Sequence, residues 1–215
     1  MLTMGLNTSG ASTDVAIVRD GEILAQTQLG QSRGQDARLP GLVRSVCAAA
    51  GTSLSDIQRI GVVTGPGSFT GVRIGVAFAR GLSLALEIPS LGISSLEAAL
   101  PAGQQGSAIV IFPAQKRAPD ITFWMQRFRT GMATTPPEEI RLEKIEALLE
   151  KHPHIVFGEA GALTQTCPGL EVHASMASAA RAAELAASYS PEDHPPKPIY
   201  VRPPDALLPG GQPAP

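Results

Sequence analysis

Ile60-Gly61-Val62-Val63-Thr64-Gly65-Pro66-Gly67-Ser68-Phe69-Thr70-Gly71-Val72-Arg73-Ile74-Gly75 holds the sharpest local signal in the 215-residue chain. Residues 60–64 predict a short buried strand, and residues 65–71 a Gly-rich loop. Residues 71–86 predict a long apolar helix, ended by Glu87-Ile88-Pro89. A loop between a strand and a helix is where backbone N–H groups and the helix dipole can meet an anion. Its spacing nevertheless fits neither phosphate fingerprint. A P-loop needs Gly-Lys-Ser/Thr after four residues, whereas Val72 follows Gly71 and the first hundred residues contain no lysine. Three residues separate Gly67 from Gly71, so GxGxxG is absent as well. Without a lysine on the β/γ-phosphates, nucleotide hydrolysis loses its usual cationic clamp. Gly65, Gly67, Ser68 and Thr70 are therefore expected to form a tight strand-to-helix turn, or to lie near a nucleotide or a partner.

The helix itself carries two small-residue stripes, Gly71/Gly75/Ala79 and Ala77/Gly81/Ala85. A mid-helix glycine costs about 1 kcal/mol relative to alanine, a cost that normally has a packing reason. One reading packs the small residues on the chain's own sheet. The other turns one stripe inward and one towards a partner. Only Arg73 and Arg80 interrupt the apolar surface, so an interface helix is expected, with Gly71, Arg73, Gly75, Val76 and Ala79 at the docking face.

Upstream, Leu2–Thr8, Asp14–Val18 and Glu22–Leu29 read as three strands of an antiparallel meander. Asp20-Gly21 joins the second and third as a two-residue hairpin. Ile23 and Ala25 alternate there against Glu22, Leu24 and Gln26. Leu39, Leu42, Val43 and Val46 then recur at helical spacing, closed by Gly51. Downstream, residues 108–112, 121–128 and 155–158 predict strands, and 142–151 and the alanine-rich 177–187 predict helices. Nine of the last 26 residues are proline, which predicts a segment extended over a surface or disordered. The order implies an α/β protein of two related lobes: 1–100, a reduced 101–190, and a Pro-rich segment 191–215.

Composition bounds the function. Hydrophobic residues make up 43%, charged residues 17% and aromatics 4%. That excludes a disordered chain and leaves little for aromatic stacking on single-stranded nucleic acid. Net charge is −2, and residues 1–100 carry seven arginines against seven acids. Stand-alone nucleic-acid binding by phosphate neutralisation is thus disfavoured. The apolar runs are broken by charge or proline before about 18 residues, and the N-terminus lacks a signal-peptide pattern. Neither a membrane span nor export is therefore expected. Cys47 and Cys167 read as free thiols, with Cys47 a small buried hydrophobe. His152-Pro153-His154 cannot present two imidazoles on one helical face, so these, like His173 and His194, are expected in exposed loops. No catalytic constellation and no metal site are expected.

The segment Gly65–Gly75 strongly resembles the signature of the TsaB (YeaZ) family. The likeness extends through Ala79-Arg80-Gly81-Leu82, Ser90–Leu96, Leu6-Asn7-Thr8-Ser9 and the closing Pro198–Ala206. It implies an actin-like ATPase (ribonuclease H-like) fold of two duplicated lobes, the second reduced. It further implies a cytoplasmic, non-catalytic subunit that binds the related transferase TsaD, with the ATPase TsaE in a ternary complex. That machinery moves a threonylcarbamoyl group onto adenosine 37 of tRNAs reading ANN codons, and tRNA is met only through the complex. Alone, such a subunit is expected as a homodimer. Docking is implied on the helices near 37–50 and 71–86, which adds Leu39, Val43 and Val46 to the expected interface. No cofactor is expected to bind tightly, with ATP or ADP placed at the junction with the partner. The chain departs from the pattern at Asn7, where the family usually has aspartate, at Gln35, and at Pro113-Ala114-Gln115. Loss of the carboxylate at Asn7 removes a magnesium-directed charge. The competing readings are a weak ATPase, a glycoprotease-type peptidase and an independent homodimeric protein.

Overall fold

The computed structural model describes residues 1–30, 35–115, 121–151, 154–159, 161, 164 and 169–201. Cys167, His152 and residues 202–215 lie outside them. The first lobe is built on β1 (Leu2–Asn7), β2 (Ser12–Arg19), β3 (Glu22–Gly30), β4 (Arg59–Val63) and β5 (Ser90–Ile93), in the order β3-β2-β1-β4-β5. The meander β1–β3 is antiparallel, and β4 and β5 run parallel to β1. Asp20 and Gly21 both have positive φ, 50° and 87°, as a tight two-residue turn requires.

The helices α1 (Gln35–Ala49) and α2 (Phe69–Leu86) cover one face of this sheet. Leu39, Val43 and Val46 of α1 and Val72, Val76 and Ala79 of α2 join Met4, Leu6, Ile60 and Val62 in one core. Cys47 lies in the same core, where burial raises its thiol pKa. By length and composition α2 is the one described helix able to cross a bilayer. Its buried side faces the sheet, which explains part of that apolar composition.

The expected alternation of Ile23 and Ala25 fails in β3. A bulge between Ile17 and Val18 makes Leu24 the extra residue and changes the parity. Leu24 and Ala25 then pack on the core while Ile23 is 45% exposed.

The second lobe repeats the pattern. β6 (Ser107–Gln115) is flanked by antiparallel β7 (Thr122–Arg129) on one side and parallel β10 (Ile155–Gly158) and β11 (His173–Ala174) on the other. β8 (Met132–Ala133) and β9 (Glu138–Arg141) both pair with β7, as two halves of one outer strand. α3 (Leu142–Lys151) covers one face through Ile145.

The alanine-rich helix, here α4 (Ala179–Ser188), does not belong to the second lobe where its sequence position had placed it. It lies on the face of the first sheet opposite α1 and α2, against Ala16, Val18, Val63 and Ile93. Glycines at 5 and 61 admit it: a Cβ at Gly5 would overlap the Ala179 carbonyl, and one at Gly61 the Ala182 carbonyl. Sandwiched between helix layers, all six residues of β1 are buried, as expected for a central strand covered on both faces. Pro191–Val201 then runs back over the first lobe. Gly92 N–H donates to His194 O (2.9 Å) and Ile199 N–H to Thr64 O (2.8 Å).

The start of α4 gives a pH prediction. Asp14 Oδ2 accepts from the Ala179 N–H at 2.7 Å, and burial raises its pKa above the ordinary 3.8 despite that bond. The folded state therefore holds this proton more tightly than the unfolded chain does. Stability is lost as pH rises from 3.8 through the raised folded value, and the full cost stands at neutral pH. Asp14→Asn keeps an acceptor and removes the charge. It is expected to raise the thermal midpoint at pH 7 by roughly 2–4 °C, the shift of about 1 kcal/mol in a chain of this size. The gain should vanish near pH 4; a gain independent of pH would refute the assignment.

Candidate functional site

Two surfaces concentrate the residues singled out from the sequence: the cleft between the lobes and the outer side of α2. The cleft, about 750 Å³, is floored by Asn7, Ser9 and Ser12 from the β1–β2 end and by Pro66 and Gly67 from the loop before α2. Phe112, Trp124, Glu159 and Met176 face them. Glu159 is the only charged residue among the described residues lining it.

A nucleotide with magnesium is what an actin-like cleft would hold, and the described residues do not fit one. Asn7 Oδ1 accepts from Ser9 N–H (3.0 Å) and Ser9 Oγ (2.8 Å), and its Nδ2 donates to Ala177 O (2.9 Å). An amide so engaged offers no negative oxygen to a cation. The loop amides are engaged too: Ser68 N–H donates to Ser9 O (2.7 Å), Gly71 N–H to Ser68 Oγ (3.3 Å) and Val72 N–H to Ser68 O (2.9 Å). A Cβ at Gly67 would overlap Ser9 O, so the two loops are in direct backbone contact where a phosphate would sit. Gly65 is buried, and Ser95 holds the turn from below through Pro66 O (2.6 Å). Ser68 and Thr70 stay exposed at the helix start. The loop is thus a tight strand-to-helix turn in which the backbone donors of Ser68, Gly71 and Val72 are taken by the chain itself.

The structure corrects most of the expected interface residues. Leu39, Val43, Val46, Val76 and Ala79 are between 0 and 4% exposed, in the core under α1 and α2. Gly71 and Gly75 are buried against the β1–β2 end: Thr8 Oγ1 donates to Gly71 O (2.7 Å), and a Cβ at Gly75 would overlap Thr8 Oγ1. The chain's own strand end demands these glycines. Arg73 alone of the eight is at the surface. Its guanidinium lies 3.7 Å over the Phe69 ring, and Nε donates to Tyr200 Oη at 2.9 Å.

The second stripe has the opposite fate. Ala77, Gly81 and Ala85 are exposed, nothing lies within 4 Å of a Cβ built on Gly81, and neighbouring Leu84 is 82% exposed. On α1, Arg44, Ser45, Ala48 and Ala49 are exposed as well. Phe69, Tyr200 and Leu84 were missed from sequence. The spacing of Arg73, Ala77, Arg80 and Leu84 was the available signal, because charge marks the solvent face of an apolar helix. His173 proves to sit on β11 beside Phe157, and His194 stacks on Tyr189 at 4.2 Å. Among the described residues no group of three His, Cys, Asp or Glu is placed to hold a metal.

The two sheets of like topology, with a cleft between them, form the actin-like ATPase fold. The ROK hexokinase of Thermus thermophilus, for example, superposes with a TM-score of 0.53 at 12% identity, over 87% of this chain and 99% of that one. Within that class the likeness is to TsaB, also named YeaZ. YeaZ from Pseudomonas aeruginosa superposes with a TM-score of 0.69 at 24% identity, over 93% of this chain and 99% of that one. The "tRNA threonylcarbamoyladenosine biosynthesis protein TsaB" of Escherichia coli is 38% identical over 96 residues, 45% of this chain and 41% of that protein. Its Bacillus subtilis namesake is 26% identical over 160 residues, 73% of this chain and 70% of that protein. The chain thus spans about two fifths of the Escherichia coli protein in that match. A family model described as TsaD, tRNA N6-adenosine threonylcarbamoyltransferase, matches residues 22–116. The TsaB resemblance read from Gly65–Gly75 is borne out by these relatives.

Proposed function

We propose that this chain is a non-catalytic, cytoplasmic subunit in tRNA threonylcarbamoyladenosine biosynthesis, and that it docks the transferase TsaD through the outer side of α2 and the adjoining face of α1. The observation that carries the reading is the exposed stripe Ala77-Gly81-Leu84-Ala85, a small and apolar helix face left uncovered by the described residues. Small residues let a partner helix approach closely, and a protruding Leu84 supplies an anchor. The names of the relatives supply the pathway. The engaged amides of Ser68, Gly71 and Val72 support a scaffold over an ATPase. TsaE joins in a ternary complex, ATP or ADP sits at the junction with TsaD, and tRNA is met through the assembly. In isolation the same face pairs two copies.

Size-exclusion chromatography with light scattering, on the chain alone and mixed with TsaD of the same organism, tests this. A heterodimer that forms at the expense of the homodimer is expected, together with no turnover by the chain alone and stimulation of TsaD. A homodimer indifferent to TsaD would refute the reading.

A further inference from the structure

We infer that the second lobe carries a phosphate-binding pocket, where Arg127 and Arg129 of β7 meet the end of α3 and His154. Residues two apart on a strand share a face of the sheet. Arg127 and Arg129 continue the face of Phe123 and Met125, which enter the core beneath α3. Beyond that core a cavity of about 590 Å³ opens, lined by Ser107, Arg127, Arg129, Thr134, Leu148 and His154. It lies across the sheet from the interlobe cleft, because Trp124 on the opposite face of β7 lines the cleft instead.

The lining is one-sided in charge: two guanidiniums, an imidazole and two hydroxyls, with no carboxylate among the described residues forming it. The arginine is held in place. Thr134 N–H and Oγ1 donate to Arg127 O (2.8 and 3.1 Å), and Arg127 N–H donates to Thr135 Oγ1 (3.2 Å). The side chain is incompletely satisfied: Arg127 Nε is buried with no hydrogen-bond partner among the described residues. Glu138 pairs with the guanidinium only at 4.0 Å from Nη2, beyond hydrogen-bond length, and both side chains are partly exposed, 41% for Arg127 and 46% for Glu138. A cavity lined by two guanidiniums, with no carboxylate among its described lining residues, is complemented by a bound anion. A guanidinium can take two oxygens of a phosphate at once through its two Nη groups, which a lysine cannot do. Leu148 adds an apolar wall, which suits the organic body of a phosphate ester. A free nucleotide and an RNA backbone share that chemistry.

Inorganic phosphate is titrated calorimetrically into the isolated chain, which requires no TsaD, so this test stands or falls apart from the docking reading. Saturable binding is expected, weakened about tenfold or more in Arg127→Gln and in Arg129→Gln, and unchanged in Arg19→Gln, exposed on β2 of the first lobe. Arg129 is exposed, so Arg129→Gln remains decisive if Arg127→Gln does not fold. No saturable binding, or equal affinity in folded Arg129→Gln, overturns the proposal. Competition then identifies the source: displacement by tRNA at lower phosphate concentration than by AMP points to RNA, and the reverse to a free nucleotide.

Discussion

Leu84→Glu is expected to abolish co-elution with TsaD, weakening association by roughly 100-fold or more, and to leave the isolated chain folded but monomeric. The two halves of that expectation have separate causes. Leu84 is 82% exposed, so the folded monomer loses almost no packing with it, and surface changes of this kind stay within about 0.5 kcal/mol. At the centre of an interface the same carboxylate is desolvated without a partner, a cost large enough to remove binding. Gly81→Arg provides an independent version, since nothing lies within 4 Å of its Cβ direction in the free chain. Gly75→Glu, which the sequence alone would recommend, is a different experiment. Its Cβ meets Thr8 Oγ1, so it is expected to unfold the first lobe and to be silent about partners. Normal TsaD binding by both Leu84→Glu and Gly81→Arg would place the docking surface elsewhere.

The contrast shows what the sequence could and could not reveal. The meander, the Asp20-Gly21 turn and the strand–loop–helix at Ile60–Leu86 were legible because each depends on neighbours in the chain: periodicity, turn chemistry and a glycine at positive φ. The Thr130-Gly131 turn between β7 and β8 uses the same backbone (φ 49° and 79°) but escaped notice, since Thr rarely adopts that conformation. Both small stripes of α2 were visible, yet which one faces inward depends on Thr8, more than sixty residues upstream. The position of α4 was illegible for the same reason. A helix of alanines carries no mark of which sheet it will cover; the marks are the glycines at 5 and 61, far away in sequence. The arginines of the second-lobe pocket were read only as part of the charge balance, because nothing local shows that β7 outruns its helix cover at Arg127.

Gly61→Ala is expected to be among the most damaging single methyls in the first lobe, lowering the thermal midpoint by about 10 °C. Gly61 sits at the middle of β4, paired with Gly5 of β1 on one side and Leu91 of β5 on the other. An added Cβ would overlap the Ala182 carbonyl and come within 2.9 Å of the Ala186 Cβ. Neither obstacle is a flexible side-chain end, so α4 as a whole must lift from the sheet. That lift would pull on Asp14–Ala179 at its start and on Arg59 Nη1, which donates to Ala186 O (3.0 Å) and Tyr189 O (2.9 Å), at its end. Overpacking a close-packed core costs typically 1–3 kcal/mol, and clashes with backbone lie at the upper end. About 3 kcal/mol corresponds to roughly 6–12 °C for a chain of this length. Gly5→Ala faces the Ala179 carbonyl and should behave alike. Gly81→Ala is the internal control. It adds the same methyl to an exposed helix interior, where replacing glycine gains up to about 1 kcal/mol, and its midpoint should rise. If Gly61→Ala and Gly81→Ala shifted the midpoint equally, α4 would not rest on β4 through backbone contact. The assignment of this helix to the first lobe would then fall with it.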